Sequence, residues 1–422
     1  MSNSLKLNKK ILIVSSWAPP MVGGPQHLYN IFSQFPKNTY SIITSAKNTQ
    51  KAIQTNVRGS MLPCQYYYFD EPAPDRKDAA ISDASKKTNP QSSRLRSKFI
   101  IVVKIIIHYL SEIYSIWLFS IKTMKALKES RTNFLLGISD TGPALIATYI
   151  ASTITRTPYA LYLFDIYKGN NLGWFYNFLA KLFERAIMTR AAIVIVTNEE
   201  TERFYHQRYG NKIKIAVVHN SAFPDEYAKT RTSYRLTPPY NIIFTGNVYW
   251  AQEQSLLNLV SAMYVLTDLP IELRLYVPKP TEKLQSAVAN KLNIKLLIAN
   301  QSEMPKIQSD AALLFLPLSW DTKSPDIIAT ASPGKFTDYL ASGRPMLVHA
   351  PDYSYIAKYV KKHHIGLIVD QNDAQLLAET MRQFFEKPSL AQTYINQALE
   401  IFQQEYDAVK NAQKMMRILN NL

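Results

Sequence analysis

Lys335 and Asp338 offer the clearest chemistry in this chain. They stand three residues apart in T-A-S-P-G-K-F-T-D-Y-L-A-S-G-R-P, Thr330 to Pro345. Ser332 is a good helix N-cap, and Pro333 suits the first helical position, where its missing N–H costs nothing. Gly343 with Pro345 beyond it is a stop signal, so a helix of about ten residues is predicted with both ends specified. The free N–H groups and dipole at its start, where Gly334 stands, attract an anion, and Lys335 adds a full charge. Phosphate binding is the chemistry expected there. Asp338 lies one turn on along the same face, where its carboxylate can accept hydrogen bonds from sugar hydroxyls. An ordinary surface ion pair on a capped helix has the same spacing. Asp165 is the second candidate, at the end of the apolar run Tyr159–Phe164. An acid at the carboxyl end of a parallel strand is placed to orient a hydroxyl or take its proton. Capping the next helix is the competing role. The histidines, His363 and His364 included, lie on no metal-ligand spacing and are expected at the surface or in packing.

The elements that must position these groups alternate. Residues 10–16 form a short apolar run suited to a buried parallel strand. A loop closed by Gly23 and Gly24 follows, with Pro25 placed to start a helix. Strand, glycine turn and helix bring backbone N–H groups to a ligand, although a plain tight turn reads the same way. Further strands are predicted at Phe134–Ser139, Tyr159–Phe164, Ile193–Thr197 and Lys214–Val218. Residues 221–240, rich in charge, Tyr and Pro, form the best boundary between a first domain, 1–220, and a second, 241–390. The second opens on N-I-I-F-T-G-N, a strand ending at Gly246 and Asn247. More strands are expected near Glu272–Val277, Ile294–Ile298, Ala311–Leu316, Met346–His349 and Gly366–Asp370, with helices over 374–386 and 391–420.

The 422 residues allow two domains, each with its own core. One cysteine, Cys64, excludes an intramolecular disulfide and a cysteine-rich metal site, and fits a reducing compartment. The first residues lack the apolar core of a signal peptide, so a cytosolic protein is expected. The net charge of +16 is one-sided: Lys plus Arg against Asp plus Glu is 28 to 13 over residues 1–220 and 20 to 19 over 221–422. Such a field calls for a polyanionic surface, membrane or nucleic acid. The chain carries no nucleic-acid-reading motif, and an anionic membrane is the expected partner.

Residues 70–97 are polar and predict a mobile loop. Phe99–Ile121 follows, apolar enough to invite a membrane span, but Lys104, His108, Ser111, Glu112 and Ser115 fall on one helical stripe. A Lys at the centre of a span costs roughly 2.5–3.5 kcal/mol. An amphipathic helix explains the stripe better, either packed in the first domain or lying in a membrane interface with Trp117 at headgroup level. Basic residues flank it on both sides: Arg94, Arg96 and Lys98 before, Lys122, Lys125, Lys128 and Arg131 after.

The stretch Pro333, Lys335, Asp338, Tyr339, Leu340, Ala341, Gly343, Pro345 resembles the nucleotide-sugar-binding motif of the family-four glycosyltransferases, and bacterial surface-polysaccharide enzymes among them. The resemblance implies an α/β GT-B fold: two Rossmann-like parallel-sheet domains facing a cleft, with a C-terminal helix, here 391–422, crossing back to the first. It implies a retaining transfer of sugar from a nucleoside-diphosphate sugar to a saccharide or lipid-linked saccharide, with no cofactor. Lys335 is then expected at the donor diphosphate and Asp338 at the ribose hydroxyls. Gly23 and Gly24 match the loop facing the donor, and Asp165 matches the acid of the acceptor side. The family favours a glutamate at Thr330, and Arg after Gly246 with Lys a few residues later; this chain has Asn247, Gln252 and Glu253. Lys335, the helix dipole and Lys323 are left to neutralise the leaving diphosphate. No Asp-x-Asp occurs, so a metal-independent mechanism is expected. An epimerase of the same fold and a degenerate scaffold of polysaccharide assembly are the rival readings.

Overall fold

The computed structural model describes residues 7–55, 59–71, 94–170, 173–289, 291–320 and 322–422, with backbone alone for 94–103. Most of the predicted mobile loop, residues 72–93, lies outside the described residues.

Two parallel sheets divide the chain. The first has seven strands, β1 (Ile11–Val14), β2 (Tyr40–Thr44), β3 (Gln65–Tyr68), β4 (Phe134–Ile138), β5 (Tyr159–Leu163), β6 (Val194–Val196) and β7 (Ile215–Val217), in the order β3-β2-β1-β4-β5-β6-β7. The second has six, β8 (Tyr240–Thr245), β9 (Ile271–Tyr276), β10 (Ile294–Leu297), β11 (Leu313–Pro317), β12 (Met346–His349) and β13 (Leu367–Val369), in the order β10-β9-β8-β11-β12-β13. In each, the first strand of the domain sits inside the sheet with parallel neighbours on both sides, β2 and β4 around β1, β9 and β11 around β8. That reversal of strand order opens a crevice at the carboxyl edge. Every residue of β1, β4 and β5 is buried, which is why these strands read as continuous apolar runs. β2 and β3 escape a reading by hydrophobicity because they are Y-S-I-I-T and the half-exposed edge Q-Y-Y-Y.

The crossings between domains run side by side. Ala222 N–H donates to the Tyr406 carbonyl at 3.1 Å, and Ala408 N–H to the Ala222 carbonyl at 3.1 Å. The C-terminal helical region is broken there by a π-helical turn, Phe402–Tyr406. Beyond it, Ala408–Asn420 buries Met415, Met416 and Leu419 against Leu28, Ile31 and Phe32 of the first domain.

The amphipathic segment is part of a 37-residue helix, Arg94–Ser130, so helix replaces loop from Arg94. Its second half is core: Ile116, Phe119, Ala126 and Leu127 are buried. Before and around its middle it turns apolar side chains outward, among them Ile106, Leu110, Ile113, Tyr114 and Trp117, each more than half exposed. Among the described residues, no helix is long and apolar enough to cross a membrane.

Candidate active site

The helix carrying Lys335 spans Gly334–Ala341, one residue later than its sequence suggests. Pro333 occupies the N-cap position, and Ser332 is no cap: its hydroxyl is buried without a partner. Asn220, in the crossing from the first domain, donates its side-chain N–H to the Ser332 carbonyl at 2.8 Å and holds that loop instead. The chain thus reaches the helix under a tertiary constraint that local propensity does not contain.

Lys335 is drawn inward. Its Nζ lies 4.2 Å from the centre of the Phe244 ring and donates to Gln252 Oε1 at 3.2 Å, so it is no surface partner of Asp338. Gly246 makes room: at φ +117° it has the backbone conformation that glycine favours, and a Cβ there would meet Lys335 Cε at 3.2 Å and Nζ at 3.3 Å. Burial, only partly offset by the nearby Asp338, pulls the Lys335 ammonium down to about 7. Burial likewise pushes the Asp338 carboxyl up to about 6, against hydrogen bonds from Tyr227 and Gln308. A cation held with so little of its charge satisfied is a strong receiver for a dianion.

The facing wall belongs to the first domain. Gly23 and Gly24 open the helix after β1, and a Cβ on Gly334 would stand 3.1 Å from His27, so the two domains meet at the start of the Lys335 helix. His27 Nδ1 is buried without a partner, and burial lowers its imidazole to about 4, keeping it neutral. Asp165 follows β5; its carboxylate keeps solvent access yet is walled by enough protein to be raised above the usual carboxylate range. The Asp140 carboxylate accepts from Ser16 N–H at 2.7 Å and Gly142 N–H at 2.9 Å, tying the β1 loop to the β4 turn.

These groups surround one cleft of about 380 Å³ between the sheets. Gly23, Gly24, Asp165, Gly246 and Asn247 line it, as do Ser332, Gly334, Lys335 and Asp338. Thr330 does not. Its hydroxyl donates to the Asp326 carbonyl at 2.7 Å and its carbonyl accepts from Asn198 at 2.9 Å, so it serves the contact between domains. Lys323 is exposed and lies off the cleft lining. Gln252, His27 and Asn220 line the cleft without having been singled out as its residues. The one signal for Gln252 was its place where a lysine was expected. His219, expected in ordinary packing, is buried between Glu199 (Nε2 to Oε1, 3.0 Å) and Glu405 (Nδ1 to Oε2, 3.9 Å) at the crossing. Its two nitrogens face different carboxylates, and one ligand atom from each of the three residues lies within 4.8 Å of the others, a spacing that could hold a metal ion and that the sequence did not show.

No protein-family model and no curated protein matches the chain by sequence. Solved structures do match. HepE of Anabaena, in complex with UDP and glucose, is similar at a TM-score of 0.69 and 15% identity, over 98% of this chain and 100% of that one. A glycosyltransferase from Rickettsia africae is similar at 0.64 and 13% identity, over 98% of each chain. WaaG, a glycosyltransferase involved in lipopolysaccharide biosynthesis, is similar at 0.61 and 12% identity, over 97% of this chain and 99% of that one. The chain has the GT-B fold. The two-domain architecture that the Ser332–Pro345 motif implied is therefore present from the first strand to the last helix, and the cleft described above is the GT-B interdomain cleft.

Proposed function

We propose that this protein is a glycosyltransferase that moves a sugar from a nucleoside-diphosphate sugar to a lipid-linked saccharide at the cytoplasmic face of a membrane. The observation that carries this reading is Lys335, charge-starved at a helix start, across one cleft from the glycine loop and Asp165. In this reading the diphosphate sits on the first-turn N–H groups with Lys335 against it, and Asp338 takes the ribose hydroxyls. Departure of the diphosphate is the step that builds negative charge, and Lys335 with the helix dipole stabilises it without a metal ion. His27, neutral and unpartnered, lends a hydrogen bond at the same oxygen atoms. Asp165 orients the acceptor hydroxyl, and the sugar keeps its anomeric configuration.

The membrane part of the reading rests on the first domain. Trp174, Phe178 and Leu182, at least half exposed, extend the bare face of the long helix, to which Tyr109 joins Trp174 at 5.6 Å between ring centres. An apolar two-helix face on a domain with 15 excess positive charges (28 less 13) suits an anionic bilayer. A titration of UDP, GDP and other nucleoside diphosphates against wild type and Lys335→Ala tests the donor site. Selective binding lost in the variant is expected; a folded protein that binds none of them leaves the scaffold reading. Flotation with anionic liposomes tests the membrane face, and failure to float removes it.

A further inference from the structure

The polar stripe of the long helix has a destination. Glu112 is partly withdrawn from the water that Lys104 and His108 face, and with the exposed Ser115 it lines a separate recess of about 230 Å³ at the carboxyl edge of the first sheet. Its other walls follow strands on both sides of β1: Trp17 after β1, Lys47 and Asn48 at the start of the helix after β2, Asp70 after β3, and Thr141 after β4. This is the switch point of the sheet, where loops after neighbouring strands diverge and leave room for a ligand. The loop from Ser15 to Gly24 separates the recess from the donor cleft, since Trp17 lines one and Gly23 the other.

The recess is dressed for a polyhydroxyl ligand. Glu112 is held by the Tyr176 hydroxyl, which donates to Oε2 at 2.6 Å and leaves Oε1 to accept another bond. Asp70 caps the helix after β2 through Ser45 and the Ala46 N–H, which fixes its position. Asn48 is anchored too, donating from Nδ2 to the Ser16 carbonyl at 3.1 Å. Trp17 is 44% exposed on the rim, a flat apolar ring beside fixed carboxylates. Fixed acceptors that receive several O–H donors, next to an aromatic face for C–H groups, are the chemistry that recognises a sugar ring rather than a phosphate or a base. Two carboxylates against one lysine weigh against an anion.

We infer that this recess, framed by Trp17, Glu112 and Asp70, is a saccharide-binding subsite that holds a sugar of the acceptor, and that Glu112 ties it to the apolar-faced helix. The inference rests on the glycosyltransferase reading and deepens it. Because Glu112 and the exposed Ile113 and Tyr114 are adjacent on one helix, a saccharide in the recess stands directly beside the bare apolar face.

Ligand-observed saturation-transfer NMR on the full chain tests it, with methyl glycosides of glucose, galactose, mannose and N-acetylglucosamine and their β-linked disaccharides as probes. At least one probe is expected to receive saturation from wild type and from Lys335→Ala. Its affinity is expected to fall about tenfold in Glu112→Gln, the size of one lost hydrogen bond to a charged group, and in Trp17→Ala, whose exposed side chain keeps folding out of the question. UDP binding is expected unchanged in both. No transfer to any probe, or equal transfer to wild type, Glu112→Gln and Trp17→Ala, overturns the subsite. Loss of UDP binding by wild type would sink the donor reading instead, and the glycoside result still decides the recess.

Discussion

The two walls of the cleft are built differently. On the second domain most of the groups are tied to one another, Ser332 Oγ and Gln308 Oε1 excepted: Tyr339 OH accepts from Thr245 N–H at 3.1 Å, Gln308 donates to the Thr245 hydroxyl at 3.1 Å, and Lys335 donates to Gln252 at 3.2 Å. On the first domain they stand loose: His27 Nδ1 has no partner, and Asp165 has no hydrogen bond among the described residues. A networked wall suits a constant ligand part such as a nucleoside diphosphate, whose donors and acceptors never change. An open wall suits a group that arrives, reacts and leaves. The difference suits the donor with its leaving diphosphate to one side and the acceptor to the other, and the Lys335 and Asp165 variants below should separate the two.

Lys335→Ala should do the greatest harm, lowering turnover on the order of 10²–10³ through lost stabilisation of the leaving diphosphate. Sugar-transfer kinetics with the donor identified by titration would measure it, and activity within threefold of wild type breaks the assignment. Asp165→Asn should lower transfer to acceptor on the order of 10² while leaving nucleotide affinity alone. A matching loss in both quantities would erase the distinction between the walls.

Next in size is a pH effect. Lys335 titrates near 7 in the empty cleft, and a bound diphosphate raises it, so binding takes up a proton above that pH. Nucleoside-diphosphate affinity is therefore expected to fall up to about tenfold per pH unit above 7, and to be flat in Lys335→Met. The sign for stability is opposite. The unfolded chain, with Lys335 at its ordinary 10.5, binds more protons between pH 7 and 10.5, so the empty protein gains stability as pH rises through that window. Thermal melts with and without UDP separate the two slopes. Gly246→Ala should cost about 1–2 kcal/mol for a side chain at positive φ and displace Lys335, reducing nucleotide affinity several-fold with no effect on glycoside binding. Smallest should be Trp174→Ala, expected to weaken liposome flotation by about 1–2 kcal/mol of buried aromatic area and to leave activity on soluble acceptors intact.

The residues of the second-domain wall were legible in order along the chain because one continuous helix start carries Gly334, Lys335 and Asp338. The errors there were local in kind. Ser332 looked like a cap and is held by the interdomain crossing, since Asn220 takes its carbonyl; Thr330 looked like a ligand position and is a domain contact, since Asn198 takes its own. Neither partner is near in sequence, so no window of residues could have revealed them. The first-domain wall was legible only at Gly23, Gly24 and Asp165, where strand ends mark themselves. His27 passed as packing because a lone histidine has no pattern. The long helix was read as amphipathic with its protein-facing side left open; the structure turns Glu112 toward Tyr176 and Trp117 outward.

What the sequence determined by itself are the features written in short-range patterns: the buried apolar strands, the glycine and proline punctuation that starts and stops helices, the charge asymmetry of the halves, and the helix start that carries Lys335. Tertiary structure alone decided which distant groups share a cleft, the depression of Lys335, the neutrality of His27, and the recess that joins Trp17 to Glu112 across 95 residues of chain. The reason is physical. Periodicity and capping act over a turn or two of backbone, whereas desolvation and the meeting of side chains depend on which surfaces the two sheets close against each other.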